Sequence, residues 1–184
     1  MTDCAFLHGG VFFMSKNSMS VKEIVLMAFY LALFYVLDFI ANILPAMPQG
    51  GSLGLGTIAL LMASYQLGWK KGTIVGLLSV LLQFVSGRMY VLGPVQFLLD
   101  YIIPFGIYGI ACLFPNYGMF YSGILITNLI RFFSHTLSGV FFYETPWIPS
   151  MIYQASYMVP TTIVGLIMVP LLMKYLAKRL EKAI

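Results

Sequence analysis

The chain has 184 residues, of which 60% are hydrophobic and only 9% charged, and its mean hydropathy is +0.92. A soluble domain carries roughly a quarter of its residues charged, so this composition excludes a soluble fold and describes an integral membrane protein. The net charge of +4 does not mark a nucleic-acid surface, because the basic residues gather at the ends of apolar runs, where membrane insertion places them.

Residues 1–18 read as an N-terminal tail: too polar and short for a span, with no basic start or clean apolar core of a signal peptide. Met14 and Met19 are alternative starts, and residues 19–184 form the membrane domain. Cys4 and Cys112 have no metal or redox spacing. Apolar runs then predict six transmembrane helices, at 22–44, 54–68, 71–87, 94–114, 119–142 and 150–176. The second is short, with Gly54 and Gly56 loosening its start.

Lys16 and Lys22, Lys70 and Lys71, and Lys174, Lys178, Arg179 and Lys182 fall at three places that six spans put on one side. Positive residues mark the cytoplasm, so the expectation is an all-α bundle with both termini cytoplasmic. The other loops then face outward: 47–54, 87–93 and 143–149. Asp38, Asp100, His135, Tyr153 and Gln154 come to one outer depth from four different spans. That asymmetry predicts an outward-facing pocket for a small polar solute.

Asn128, Arg131, His135 and Ser138 are spaced by three, four and three residues, one stripe of a helix. Lipid would penalise that stripe, so it should face the bundle. Arg131 then needs a buried acid partner, with Asp100 and Asp38 as candidates. Two ionised acids against one arginine would leave one negative charge for a monocationic ligand. Ala28-x-x-x-Ala32 is a small-residue seam for close helix contact. Neither a Ser/His/Asp set nor a metal-ligand cluster stands at a recognisable spacing, so an enzyme is not expected. Without a P-loop the chain does not power transport alone.

MPQGGS (47–52), GPVQFLLDY (93–101), RFFSHTLSGVFF (131–142) and YQASYMVP (153–160) resemble, in this order, the thiamine-specific S-components of energy-coupling factor (ECF) transporters, the ThiT/YuaJ family. The resemblance runs from about residue 22 to about 176. It implies a six-helix S-component in the plasma membrane of a bacterial cell. Such a subunit binds thiamine from outside and joins a transmembrane coupling protein and two ATPase subunits. No cofactor is implied. Carried onto this sequence, the resemblance makes Asp100 the pocket acid, Tyr101 its neighbour and His135 the pocket histidine. Tyr143 becomes a stacking aromatic and Trp147 a second one. Gln96 sits one turn before Asp100, placed to orient it, and Ala28 and Ala32 become the contact with the coupling protein. MPQGGS is expected to form an outer lid.

Two positions depart from the family pattern. Pro149 stands where a pocket tyrosine is usual, and Gln154 where an asparagine is usual. They leave open an S-component for a related vitamin or a pyrimidine precursor. A stand-alone small-solute carrier is a further alternative. Thiamine itself suits these residue types. Its aminopyrimidine edge pairs with a carboxylate and an amide, and its thiazolium cation suits aromatic faces.

Overall fold

The computed structural model describes residues 19–41, 43, 51–87 and 89–177. The tail 1–18, Lys178, Arg179, Lys182, Arg88 and most of the expected lid (47–50) lie outside these. Six helical elements follow one another. They are α1 (Val21–Ala41), α2 (Thr57–Leu67), α3 (Trp69–Val85), α4 (Pro94–Leu113), α5 (Ser122–Phe142) and α6 (Trp147–Leu172), which runs on through a wide turn to Ala177. Among the described residues a helix stands at each of the six expected places, and four of them are long and apolar enough to cross a membrane. The chain is a multi-pass membrane protein whose interior is more polar than its surface.

α1 starts in a capping box. The Ser20 N–H donates to Glu23 Oε2 at 3.0 Å, and the Glu23 N–H donates to Ser20 Oγ at 3.3 Å. Glu23 also pairs with Lys71 at the start of α3, which fixes these two helix ends together. Leu26, Met27, Tyr30 and Phe34 bury one face of α1, while Val21, Ile24, Val25, Phe29 and Val36 are exposed. Ala28 and Ala32 lie one turn apart on the exposed side.

α2 is the centre of the bundle. Every residue from Thr57 to Ser64 is buried, the mark of a helix enclosed on all sides. Its 11 residues rise about 16 Å, against a hydrocarbon core of about 30 Å. The helix begins three residues later than the sequence suggests, because residues 51–56 stay non-helical and are tied to α6. The Gly51 N–H donates to Tyr153 Oη and the Gly54 N–H to Thr161 Oγ1, each at 3.0 Å. Irregular backbone at membrane depth is tolerated where protein or a cavity satisfies it. Gly68 alone joins α2 to α3, at φ 86° and ψ 169°, a conformation reserved for glycine.

α4 is not one regular helix. Pro94 opens an α-turn, where its missing N–H costs nothing. A π-turn then spans Leu98–Ile102, an α-turn Ile103–Gly106 and a 3₁₀ segment Ile107–Leu113. The 3₁₀ segment packs closely on α2 and α3. Ser64 Oγ donates to Gly109 O at 2.6 Å and accepts the Cys112 N–H at 3.1 Å. A Cβ on Gly109 would sit 2.2 Å from Thr73 N. A two-residue hairpin, Asn116↔Tyr121 and Tyr117↔Phe120, turns the chain into α5.

Gly109→Ala is expected to destabilise the fold by at least the ~1–3 kcal/mol typical of overpacking, since backbone rather than a flexible side-chain end blocks the methyl. Thermal unfolding in detergent would show a lower Tm. An unchanged Tm would mean that α3 and α4 do not approach this closely.

Candidate functional site

A cavity of about 140 Å³ opens between α1, residues 51–57, the end of α3, α4, α5 and the start of α6. Asp38, Asp100, Arg131 and His135 bring charge and polarity to its wall. Phe34, Tyr101, Phe105, Tyr143, Tyr153 and Tyr157 bring rings, and Gln83 and Gln154 bring amides. Asp38, Asp100, His135, Tyr153 and Gln154, which the sequence sets at one depth, share the wall of this cavity.

Asp100 is 9% exposed and sits on the π-turn of α4. Three donors hold its carboxylate. Gln96 Nε2 reaches Oδ2 at 2.6 Å from one turn earlier, Ser138 Oγ reaches Oδ2 at 2.8 Å, and His135 Nδ1 lies 3.0 Å from Oδ1. Charge-assisted bonds of this kind stabilise a buried carboxylate. Arg131 Nε lies 3.1 Å from His135 Nε2. An arginine N–H can only donate, so Nε2 accepts. The proton of the neutral imidazole is then on Nδ1, directed at Asp100. Arg131 and Asp100 are thus joined through His135.

The described partners of Arg131 differ from the sequence expectation. The guanidinium gives Nη1–H to the Tyr108 hydroxyl at 3.0 Å and Nε–H to His135, with Phe105 and Tyr108 rings 5.3 Å and 5.9 Å from its carbon. No carboxylate is among these direct partners. The ion pair expected at Arg131 is corrected to a relay, because His135 lies one turn along the same stripe and intercepts the guanidinium. Asn128, at the far end of that stripe, accepts the Tyr108 O–H at 2.9 Å. Asn128, Arg131 and Ser138 are buried and His135 nearly so, as the spacing of the stripe requires.

Gln96 is fully buried and does not line the cavity. Besides Asp100, its Nε2 faces Tyr143 Oη at 3.2 Å and Tyr90 O at 3.1 Å, and its Oε1 accepts the Leu92 N–H at 3.0 Å. Tyr143 lines the cavity just beyond the end of α5. Burial, and then the nearby Asp100 charge, pushes its phenol above the usual range, so it remains a neutral hydroxyl. Tyr101 lines the cavity while its hydroxyl accepts the Tyr90 N–H at 3.0 Å. Gln154 Nε2 donates to His135 O at 3.3 Å, and Gln154 Oε1 accepts the Tyr157 O–H.

Trp147 stands apart. It is 53% exposed, with its ring against Phe141, and it does not line the cavity. This placement fits an interfacial aromatic. Pro149 is likewise exposed, in the first turn of α6. Of the expected lid, Gly51 and Ser52 form part of the cavity wall. Sequence reasoning missed Phe34, Gln83, Phe105, Gly139 and Tyr157 in the wall. Tyr157 was legible in principle, three residues after Gln154 on the same face of α6. Phe105 was not, because its direction depends on the π-turn before it.

The family model described as thiamine transporter protein (Thia_YuaJ) matches residues 24–181. This chain belongs to that family. It is similar to the thiamine transporter ThiT of Bacillus subtilis (strain 168), with 34% identity over 179 residues, 86% of this chain and 92% of the relative. Its fold is similar to a solved structure of ThiT from Listeria monocytogenes, with a TM-score of 0.71 at 22% identity. That match covers 86% of this chain and 96% of the other. The thiamine transporter family therefore accounts for both the sequence and the six-helix fold.

His135→Ala would leave Arg131 Nε and one Asp100 oxygen without their partner. Stranding a buried polar group costs about 1–3 kcal/mol, so the variant should unfold at a lower temperature. His135→Gln, which carries a donor and an acceptor, should recover part of the loss. Equal Tm values for His135→Ala and the parent would exclude the relay.

Proposed function

We infer that this chain is the substrate-binding membrane subunit of an ECF-type transporter and that it captures thiamine in the Asp100 cavity. The observation that carries the reading is a buried carboxylate, held by three donors, in the wall of an aromatic-lined cavity within a thiamine transporter family member. Both termini face the cytoplasm, so the cavity opens outward. The ligand's aminopyrimidine edge meets Asp100, His135 and the Gln154 amide. Tyr101, Tyr143 and Tyr153 supply ring faces to the thiazolium, where a desolvated cation–π contact contributes about 2 kcal/mol or more. Gln96 acts behind Asp100. Trp147 stays at the membrane interface.

Uptake is driven elsewhere. A separate coupling protein and two ATPase subunits hydrolyse ATP, and this chain performs no chemistry on its ligand. The exposed seam of Ala28 and Ala32 is the contact with the coupling protein, where small side chains permit close helix approach.

Calorimetric titration of the purified protein with thiamine tests the ligand. Saturable binding is expected. Asp100→Ala should weaken it by roughly 10- to 100-fold, because a hydrogen bond to a charged group is worth about 1.5–3 kcal/mol. A folded protein that shows no saturable binding would remove thiamine as the ligand. If a pyrimidine-only competitor bound as tightly as thiamine, the pyrimidine precursor would become the ligand and the thiazolium contact would be withdrawn.

Ala28→Trp with Ala32→Trp is expected to abolish co-purification with a coupling module while leaving thiamine affinity unchanged. Retained co-purification would place the contact on another face.

A further inference from the structure

In the wide turn of α4 two backbone carbonyls exchange partners. The Ile103 N–H donates to Leu98 O, five residues back, rather than to Leu99 O, four back. Leu99 O would be orphaned by that shift, and Ser134 Oγ of α5 donates to it at 2.5 Å. Pro104 follows, with no N–H to give to Asp100 O, and its ring would clash with that carbonyl in a regular α-turn. One residue prevents the α-register and the other satisfies the carbonyl that the π-register releases.

The turn also decides which side chains share a face. At roughly 100° per residue, a straight helix would set Phe105 and Tyr108 roughly 80–180° round from Gln96 and Asp100. One extra residue in a π-turn takes back roughly 100° of this. Asp100 and Tyr101 within the turn and Phe105 after it then line one cavity. Tyr108 reaches Arg131 in the same sector. Asp100 is thereby brought to His135 and Ser138 while the later half of α4 still packs on α2 and α3.

We propose that Pro104 and Ser134 are positioning residues for ligand binding, holding α4 in the π-register that presents Asp100 to the cavity. They act through Asp100 and neither lines the cavity. The affinity part of this inference rests on thiamine being the ligand.

The test is a double-mutant cycle on the full chain in detergent, read by thiamine titration. Pro104→Ala with Ser134→Ala should weaken thiamine about tenfold in the parent. Beside Asp100→Asn the same pair should change affinity markedly less than in the parent, since the main group they position is already lost and only the placing of Phe105 remains. Equal fold-losses in both backgrounds, or unchanged affinity in the parent, would overturn the proposal. If the paired variant does not fold, Ser134→Ala alone passes through the same cycle with the same criteria. A crystal structure of the variant adds a readout without ligand: the Ile103 N–H should return to Leu99 O. Its retention on Leu98 O would show that these residues do not hold the turn. Failure of the parent to bind thiamine would strike the ligand assignment, while this second readout still decides the role of Pro104 and Ser134.

Discussion

A carboxylate placed in an apolar run is the constraint around which this bundle is arranged. At the centre of a spanning helix an isolated aspartate costs about 2.5–3.5 kcal/mol on insertion scales, so Asp100 has to be supplied with donors. Gln96 supplies one from the preceding turn, and Ser138 and His135 supply two from α5. Those two are three residues apart, which fixes how α5 is rotated. His135 in turn accepts from Arg131, and Arg131 rests on Tyr108 and Phe105. The chain of contacts returns to α4, where it began.

This closed circuit explains why polar side chains are buried here while large apolar ones are exposed. Helices in lipid gain little from burying hydrocarbon against hydrocarbon and rely on packing and hydrogen bonds instead. The close glycine approaches of α4 to α3, and the enclosure of α2, supply the packing. The Asp100 circuit and the ties from residues 51–54 to α6 supply the hydrogen bonds. A short central helix follows naturally. Starting α2 only at Thr57 leaves room before it, and the non-helical segment 51–56 becomes part of the cavity wall.

The same arrangement gives this small chain two unlike faces. Polar and aromatic side chains from α1, α3, α4, α5 and α6 meet inside, at the cavity. The exposed side of α1 carries, apart from Tyr35, small and apolar groups. The inner side of α1, by contrast, brings Phe34 and Asp38 to the cavity wall.

The sequence by itself determined the membrane class, the six spans, the family and the stripe from Asn128 to Ser138. Each of these follows from hydropathy, from period or from motif order, which are properties of residues near one another in the chain. It also singled out Asp100, His135 and Gln154 as polar groups at one depth, while Tyr101 and Tyr143 came from the family resemblance; all five line the cavity. Only the tertiary structure decided what Arg131 pairs with, because its choice between an acid and His135 depends on rotation of α4 against α5. The same holds for Phe105 and Tyr157 as wall residues and for Trp147 as an outsider. A single π-turn, caused by a proline and a hydroxyl from another helix, changes the facing of everything beyond it. Periodicity read along a straight helix has no means of registering that contact between segments.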